Sequence, residues 1–221
     1  MKSIDRPSPN HDDRNGAAID MLVLHYTGMA SGLAAIDRLC DPSAKVSAHY
    51  TIDEDGTVYA HVPEERRAWH AGVSHWAGVD NLNSGSIGIE LVNPGHDYGY
   101  RAFPEAQIAS LIELCGGILS RHPIPPARVL GHSDVAPARK EDPGELFPWA
   151  RLAEAGIGLW PQGATSDLGP DALTRYGYDP NAPQDKLITA FQRHFRPGNL
   201  NGAWDDDCAG LLAGLLASTG V

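Results

Sequence analysis

Residues Met21-Leu22-Val23-Leu24-His25-Tyr26-Thr27 are the clearest indication of the fold in this sequence. Four apolar residues in succession are followed by polar ones, a pattern typical of a buried strand that exposes its carboxyl end. A helix is predicted directly after it, over residues 32–39, and Asp41 and Pro42 end that helix. A buried strand followed by a helix indicates a sheet with helices packed on it.

Strands and helices alternate along the next hundred residues. The segments 49–52 and 57–59 flank Asp53-Glu54-Asp55-Gly56, which predicts a hairpin because Asp-Gly supports a tight turn with positive φ. Residues 86–92 and 129–130 are predicted to be strands, and 104–121 and 149–155 helices. We therefore predict an α/β fold, a central mixed β-sheet flanked by helices, followed by a small C-terminal helical domain.

The composition of the chain changes after residue 156. Residues 157–168 include Gly158, Pro161 and Gly163 and show little periodicity, which is typical of a linker. Beyond them, residues 171–178 and two apolar stripes within 187–195 and 211–216 predict three short helices. The predicted domains are thus 1–156, a linker at 157–168, and a three-helix unit at 169–221.

The charge of the chain argues against two classes of binding partner. The 221 residues include 17 Lys and Arg against 28 Asp and Glu, a formal net charge of −11, without a basic cluster. Nucleic acids and anionic membranes both attract a basic surface, so neither is expected as a partner. No obligate protein partner is evident. The three cysteines, Cys40, Cys115 and Cys208, are scattered along the chain. Cys40 and Cys115 lie within apolar, helix-like patterns, so core positions are expected rather than a disulfide framework.

The N-terminus predicts where the protein works. Its first 13 residues contain no apolar segment of the kind, about 7–15 residues long, that a secretory signal needs. We expect a cytoplasmic protein on this basis, with a periplasmic or secreted protein as the alternative.

A glycine- and proline-bounded loop, Gly131-His-Ser-Asp-Val-Ala-Pro-Ala-Arg-Lys-Glu-Asp-Pro-Gly144, follows the last predicted strand. It contains His132, Lys140 and Asp142, and taken alone it could be a solvated surface loop. Two further polar residues, His25 and Glu90, lie in the predicted strands. Two histidines and one carboxylate would hold a tetrahedral zinc with one open position, which is typical of a catalytic site.

These segments, in this order, resemble a known enzyme family. His25-Tyr26-Thr27, Arg67-Ala-Trp-His-Ala-Gly72, Ser86-Ile-Gly-Ile-Glu90 and the 131–144 loop are similar to the zinc N-acetylmuramoyl-L-alanine amidases of the AmpD/AmiD type. Phage-type lysozyme amidases and peptidoglycan recognition proteins belong to the same group. The resemblance covers about residues 17–155. The tail, including 187–197 and Asn201-Gly202, is similar to the small peptidoglycan-binding-like domain of AmiD-type enzymes.

The resemblance implies a set of roles for residues of this chain. His25, His132 and Asp142 would bind one Zn²⁺, Glu90 would transfer protons, and Lys140 would stabilise the oxyanion. The candidate substrate contacts are Trp69, His70, Asn83 and Asn93. Phage-type members carry a catalytic tyrosine where this chain has Ala48, which favours Glu90 as the base.

The expected reaction is hydrolysis of the amide between N-acetylmuramic acid and L-alanine in peptidoglycan fragments. The fragments include 1,6-anhydro-muropeptides, and the expected process is cell-wall recycling. An amidase acting on polymeric peptidoglycan outside the cytoplasm is an alternative. Two other classes stay open: a peptidoglycan binder without activity, and a zinc peptidase that cuts within the stem peptide. Asp142 argues against the first, because recognition proteins that bind without cleaving lack this ligand.

Overall fold

The computed structural model describes residues 1–220. Its strands are β1 (Ser3–Asp5), β2 (His11–Asp13), β3 (Met21–Tyr26), β4 (Tyr50–Ile52), β5 (Val58–Ala60), β6 (Arg66–Ala68), β7 (His75–Trp76), β8 (Val79–Asp80), β9 (Ser86–Leu91) and β10 (Val129–Gly131). Its α-helices are α1 (Gly32–Cys40), α2 (Gly95–Tyr98), α3 (Glu105–Arg121), α4 (His132–Val135), α5 (Trp149–Glu154), α6 (Leu173–Tyr176), α7 (Gln184–Phe195) and α8 (Asp206–Thr219).

A six-stranded mixed sheet forms the centre of the molecule. Its strand order is β1-β5-β4-β9-β3-β10. The strands β4, β9, β3 and β10 run parallel to one another, whereas β4 and β5 form the antiparallel hairpin that the Asp-Gly turn predicts. The predicted α/β fold with a central mixed sheet is confirmed.

Each face of this sheet is covered by a different apolar cluster. Alternate residues of a strand point to opposite faces, so Leu22 and Leu24 join the cluster that contains α3, whereas Met21 and Val23 join the cluster that contains α7 and α8. The central strands are buried on both faces, which explains why β3 is an unbroken apolar run.

The C-terminal helices share one of these clusters. Phe191, Phe195 and Leu212 pack in a single apolar core with Val23 and Leu130 of the central sheet. Residues 157–169 contain no helix or strand, yet the Ala164 amide donates to the Gly210 carbonyl of α8 at 3.1 Å. The division into two domains and a linker stays a prediction, and the structure adds that the two parts have a common core.

The cysteines and the helix lengths complete the description of the fold. All three cysteines are free, so no disulfide framework is present in residues 1–220. Cys115 is buried as predicted and Cys208 is buried too, whereas Cys40 is half-buried, so the core position predicted for Cys40 is wrong. Within residues 1–220, no helix combines the length and apolar character that crossing a membrane requires.

Candidate metal centre

His25 and Glu90 lie side by side at the carboxyl ends of two parallel strands. His25 is the fifth residue of β3, on the same face as Val23, and is 1% exposed. Its register partner on β9 is Glu90. The β3–β9 ladder thus fixes both polar residues at one edge of the sheet, as expected when apolar strands end in polar residues.

The loop after β10 brings His132 and Asp142 to the same edge. His132 is the first residue of α4 and directly follows β10, so it lies at the carboxyl end of that strand. The Ser133 amide donates to the Asp142 carbonyl at 2.9 Å, which closes the loop on itself. This closure places a residue ten positions further along the chain next to the histidine.

Three side-chain atoms from these residues form a nearly equilateral triangle. The Nδ1 atoms of His25 and His132 lie 2.9 Å apart, and each lies 3.0 Å from Oδ2 of Asp142. Ligand atoms of a tetrahedral ion with bonds of about 2.0 Å are roughly 3.3 Å apart, so the triangle has nearly the size of one face of such a shell. All three residues are buried.

The hydrogen bond between Nε2 of His25 and Nδ1 of His70 determines which nitrogen of His25 carries the proton. The Ser86 hydroxyl donates to the Leu82 carbonyl at 2.7 Å, so its oxygen accepts from Nε2 of His70 at 3.1 Å. Burial, reinforced by His25, lowers the pKa of His70 well below its ordinary value, so this ring has one proton and its Nδ1 is an acceptor. Nε2 of His25 therefore donates to it at 3.0 Å, and Nδ1 of His25 presents a lone pair to the triangle.

His132 presents a lone pair to the triangle for a similar reason. Its Nε2 lies 3.0 Å from the Ala71 carbonyl, which can only accept. Nη2 of Arg139 is 3.3 Å from the same nitrogen but donates its two protons to the Ala71 and Val73 carbonyls. The proton of His132 is therefore on Nε2. Two imidazole lone pairs and a carboxylate oxygen therefore face one another within 3.0 Å. Without a cation between them, these three electron-rich atoms repel one another. The hydrogen bonds from the outer nitrogens, Nε2 of His25 and Nε2 of His132, are of the kind that orient histidine ligands in metal sites. The triangle fits a divalent metal ion.

The charge states of His25 and Asp142 also favour metal binding. Burial and the neighbouring His132 together lower the pKa of His25 to about 4, although Asp142 opposes them. Burial alone raises the pKa of Asp142, but His132 and His25 together hold that pKa below its ordinary value. Near neutral pH His25 is thus neutral and Asp142 is ionised, which are the forms that bind metals.

Glu90 and Lys140 lie beside the triangle. Oε2 of Glu90 is buried and has no hydrogen-bond partner within residues 1–220. Burial raises the pKa of Glu90 well above its ordinary value, Asp142 raises it further, and Lys140 opposes both. A carboxyl group with a raised pKa in a cleft is typical of a site of proton transfer.

A cleft of about 470 Å³ opens onto this group, with Glu90, His132, Lys140 and Asp142 in its walls. Its other charged walls are Arg38, Asp97, Arg139 and Glu141, and its apolar walls include Met29, Leu39 and Val46. Charged and aliphatic walls together suit a ligand that carries both polar groups and hydrocarbon.

Among the four predicted substrate contacts, the structure brings His70 to the cleft. Oδ1 of Asn83 instead accepts from the amides of His70 at 3.1 Å and Ala71 at 2.8 Å. Asn83 therefore fixes the backbone that supports both histidine ligands. It does not line the cleft.

Trp69 and Asn93 are also engaged elsewhere. The Trp69 indole N–H donates to Asp12 at 2.7 Å. The Asn93 amide donates to the Arg101 carbonyl at 2.7 Å and accepts from the Gly95 amide at 3.1 Å. Neither residue lines the cleft, so among the four residues the geometry supports a role in substrate contact for His70, and substrate contact by the other three stays a prediction.

Sequence reasoning missed two residues that shape the loop. Nη2 of Arg139 donates to the carbonyls of Ala71 at 2.5 Å and Val73 at 2.6 Å. The Tyr100 hydroxyl donates to the Pro143 carbonyl at 2.8 Å. Arg139 lies within the 131–144 motif and could have been noticed there, whereas Tyr100 lies in an irregular segment with no pattern to single it out.

Known proteins resemble this chain in both sequence and fold. A family model described as N-acetylmuramoyl-L-alanine amidase matches residues 15–145, more than half of the chain. The N-acetylmuramoyl-L-alanine amidase AmiD of Escherichia coli (strain K12) is 37% identical over 91% of this chain and 84% of its own. The 1,6-anhydro-N-acetylmuramyl-L-alanine amidase AmpD of Citrobacter freundii is 37% identical over 66% of this chain and 86% of its own.

Solved structures extend the likeness to the C-terminal helices. AmpDh3 of Pseudomonas aeruginosa superposes with a TM-score of 0.83 and 38% identity, over 97% of this chain and 96% of its own. Escherichia coli AmiD, in complex with its substrate anhydro-N-acetylmuramic acid-L-Ala-D-γ-Glu-L-Lys, superposes with a TM-score of 0.81 and 35% identity, over 96% of this chain and 98% of its own. The resemblance drawn from the motifs is confirmed, and the chain belongs to the N-acetylmuramoyl-L-alanine amidase family, in its AmpD/AmiD branch.

Proposed function

We propose that this protein is a zinc-dependent amidase that cleaves the bond between N-acetylmuramic acid and L-alanine in peptidoglycan fragments. The observation that carries the proposal is the buried triangle of His25, His132 and Asp142, in which two imidazole lone pairs and a carboxylate face one another. A nitrogen and oxygen donor set of this size suits Zn²⁺.

His25, His132 and Asp142 would hold the ion, with His70 and the Ala71 carbonyl orienting the two rings. Bound zinc supplies two kinds of chemistry here, a water molecule acidic enough to attack at neutral pH and polarisation of the scissile carbonyl.

Glu90 is the proposed proton carrier. Its buried carboxylate has an unused oxygen, and its raised pKa makes it a stronger base than an exposed glutamate. It would accept the proton of the attacking water and deliver it to the nitrogen of the departing L-alanine, so that a neutral amine leaves. The peptide then departs with a free amino terminus.

Lys140 is the proposed electrostatic partner. It lines the cleft with Glu90, and its charge is felt at that carboxyl group, where it lowers the pKa. The same ammonium would stabilise the negative charge that develops on the amide oxygen during attack. His70, which lines the cleft, is the proposed substrate contact, although its two nitrogens already bond to His25 and Ser86.

The substrate class rests on the relatives. AmiD was solved with an anhydro-N-acetylmuramic acid peptide, and AmpDh3 with an anhydromuramic pentapeptide at a TM-score of 0.80 and 37% identity. We propose that soluble 1,6-anhydro-muropeptides are substrates and that the reaction serves cell-wall recycling. Because the C-terminal helices are shared with AmiD, polymeric peptidoglycan is the second candidate substrate. The cytoplasmic location expected from the N-terminus stays a prediction.

Mass spectrometry of the reaction products tests the proposal. Purified protein is incubated with an anhydro-muropeptide or with intact sacculi, and we expect an intact peptide that begins with L-alanine. Fragments cut within the stem peptide would identify a peptidase instead. Binding without cleavage, by zinc-loaded protein, would identify a binder and contradict the proposal.

A further inference from the structure

The carboxylate of Asp134 is among the most completely buried charged groups in the described chain, at 0% exposure. Its oxygens accept three hydrogen bonds: from the Gly131 amide at 2.7 Å, from Nδ1 of His194 at 2.7 Å, and from the Tyr178 hydroxyl at 2.8 Å. A buried carboxylate is very costly without such donors, so these partners hold it in one position.

The three donors come from two different parts of the chain. Gly131 immediately precedes His132, whereas Tyr178 follows α6 and His194 belongs to α7. We propose that Asp134 is a positioning residue through which the C-terminal helices fix the metal-binding loop. Tyr178 and His194 hold the carboxylate, and the carboxylate holds the backbone from which His132 projects. This inference rests on the proposed metal site.

The His194 ring is itself held in place. It stacks on Trp149 of α5 with ring centroids 3.7 Å apart and an interplanar angle of 21°. Trp149 in turn closes the space around Gly131, where an added Cβ would lie 3.3 Å from the indole. Because the imidazole cannot swing freely, its Nδ1–H remains directed at Asp134.

The preceding residue of α7 contacts the other end of the loop. The guanidinium of Arg193, whose side chain is 8% exposed, lies 3.5 Å from Glu141 and 3.6 Å from Glu145. These acids flank Asp142 in sequence. Adjacent residues of one helix, Arg193 and His194, therefore contact both ends of the loop that carries His132 and Asp142.

The consequence is a dependence of metal affinity on the C-terminal helices. Residues that orient metal ligands without touching the ion typically change affinity by about 10–100-fold when they are substituted. Asp134 acts one step further out, through the backbone, so we expect an effect of about 3–10-fold for the loss of one of its donors.

Tyr178→Phe is the decisive variant, because it removes one hydroxyl and retains the ring. Tyr176→Phe is its matched control. Tyr176 lies two residues earlier, is also buried, and packs on the same Trp76, but its hydroxyl has no hydrogen-bond partner within residues 1–220. The readouts are the dissociation constant for Zn²⁺, by competition with a chromophoric chelator, and the visible absorption spectrum of the Co²⁺-loaded protein.

We expect Tyr178→Phe to raise the Zn²⁺ dissociation constant about 3–10-fold and to alter the Co²⁺ spectrum, both at a temperature where the protein is folded. Tyr176→Phe should match the wild type in both. A second pair, His194→Asn and His194→Ala, tests the other donor. The asparagine can retain an N–H near the position of Nδ1, so it should preserve more affinity than the alanine.

The results separate this inference from the proposed function. If the wild type and Tyr176→Phe bind Zn²⁺ and Tyr178→Phe binds it equally well with an unchanged Co²⁺ spectrum, the positioning role is refuted and the metal site stands. A lower melting temperature for Tyr178→Phe with unchanged affinity would show a purely structural role and refute it too. If the wild type binds no Zn²⁺, the proposed function and this inference both fail.

Discussion

Glu90 of β9 and His25 of β3 are register partners on adjacent parallel strands. The backbone ladder therefore sets the separation between the proposed proton carrier and a metal ligand before any loop contributes. His132 and Asp142 are added by the loop that follows β10, the neighbouring strand on the other side of β3. The site is thus built on buried strands at the centre of the sheet, which hold its groups in fixed positions as preorganised catalysis requires.

Glu90→Gln should lower kcat by about 10²–10⁴-fold and leave the zinc content unchanged, because the amide keeps the shape of the side chain but cannot accept a proton. Kinetics on an anhydro-muropeptide together with metal analysis would check this. Glu65→Gln, at an exposed position, is the control and should behave as the wild type. Near-normal turnover by Glu90→Gln would show that Glu90 is not the proton carrier.

Lys140→Met should reduce kcat by about 10²-fold or more, the usual effect of losing one group that stabilises an oxyanion. It should also move the acidic limb of the pH–rate profile to higher pH. The sign follows from Glu90, since Lys140 lowers the pKa of that carboxyl group and its removal allows the pKa to rise. A profile that shifts to lower pH, or does not move, would contradict this arrangement of charges.

Gly88→Ala should destabilise the protein by about 1–3 kcal/mol, as overpacking of a buried site does. A Cβ at this position would lie 2.3 Å from Cγ of His70, so the ring that orients His25 must move. We also expect weaker zinc binding. Gly116→Ala is the matched control, because its Cβ meets nothing within 4 Å, and it should stabilise α3 by about 0.5–1 kcal/mol. Denaturant unfolding measures the free energy of unfolding of each variant. Equal values for Gly88→Ala and Gly116→Ala would contradict the crowding at Gly88.

The metal-free protein should lose stability as the pH falls below about 6.5. Burial lowers the pKa of His25 to about 4 and of His49 to about 3, from 6.5 for an ordinary histidine. Between these values the unfolded chain binds protons that the folded chain does not, so the free energy of unfolding falls with pH by at least ~1 kcal/mol. Urea titrations at pH 7.5 and pH 5 measure the change, and equal stability at the two pH values would contradict it.

The sequence predicts those parts of the site that follow from local pattern, and it fails for contacts between residues far apart along the chain. His25 and Glu90 stand out because each closes an apolar strand, and neighbouring parallel strands end at one edge. Asp142 is recognisable from the motif, although its approach to His132 needs the 131–144 loop to close.

Asp134 could not be understood from the sequence. Its donors Tyr178 and His194 lie 44 and 60 residues away, in a segment predicted to be a separate unit. Substrate contact by Asn83 and Asn93 stays a prediction. Their side chains bond to backbone groups between 2 and 13 residues away, and only the structure shows which groups these are.

Metal analysis of the wild type and of Asp142→Ala tests whether the His25, His132 and Asp142 triangle is a catalytic zinc site. We expect one zinc ion per wild-type chain and release of an L-alanine-initiated peptide from an anhydro-muropeptide. Asp142→Ala should lose both zinc and activity, while its circular dichroism spectrum shows a folded protein. A fully metallated and active Asp142→Ala protein, or a wild type that is active after its zinc has been removed, would contradict this assignment.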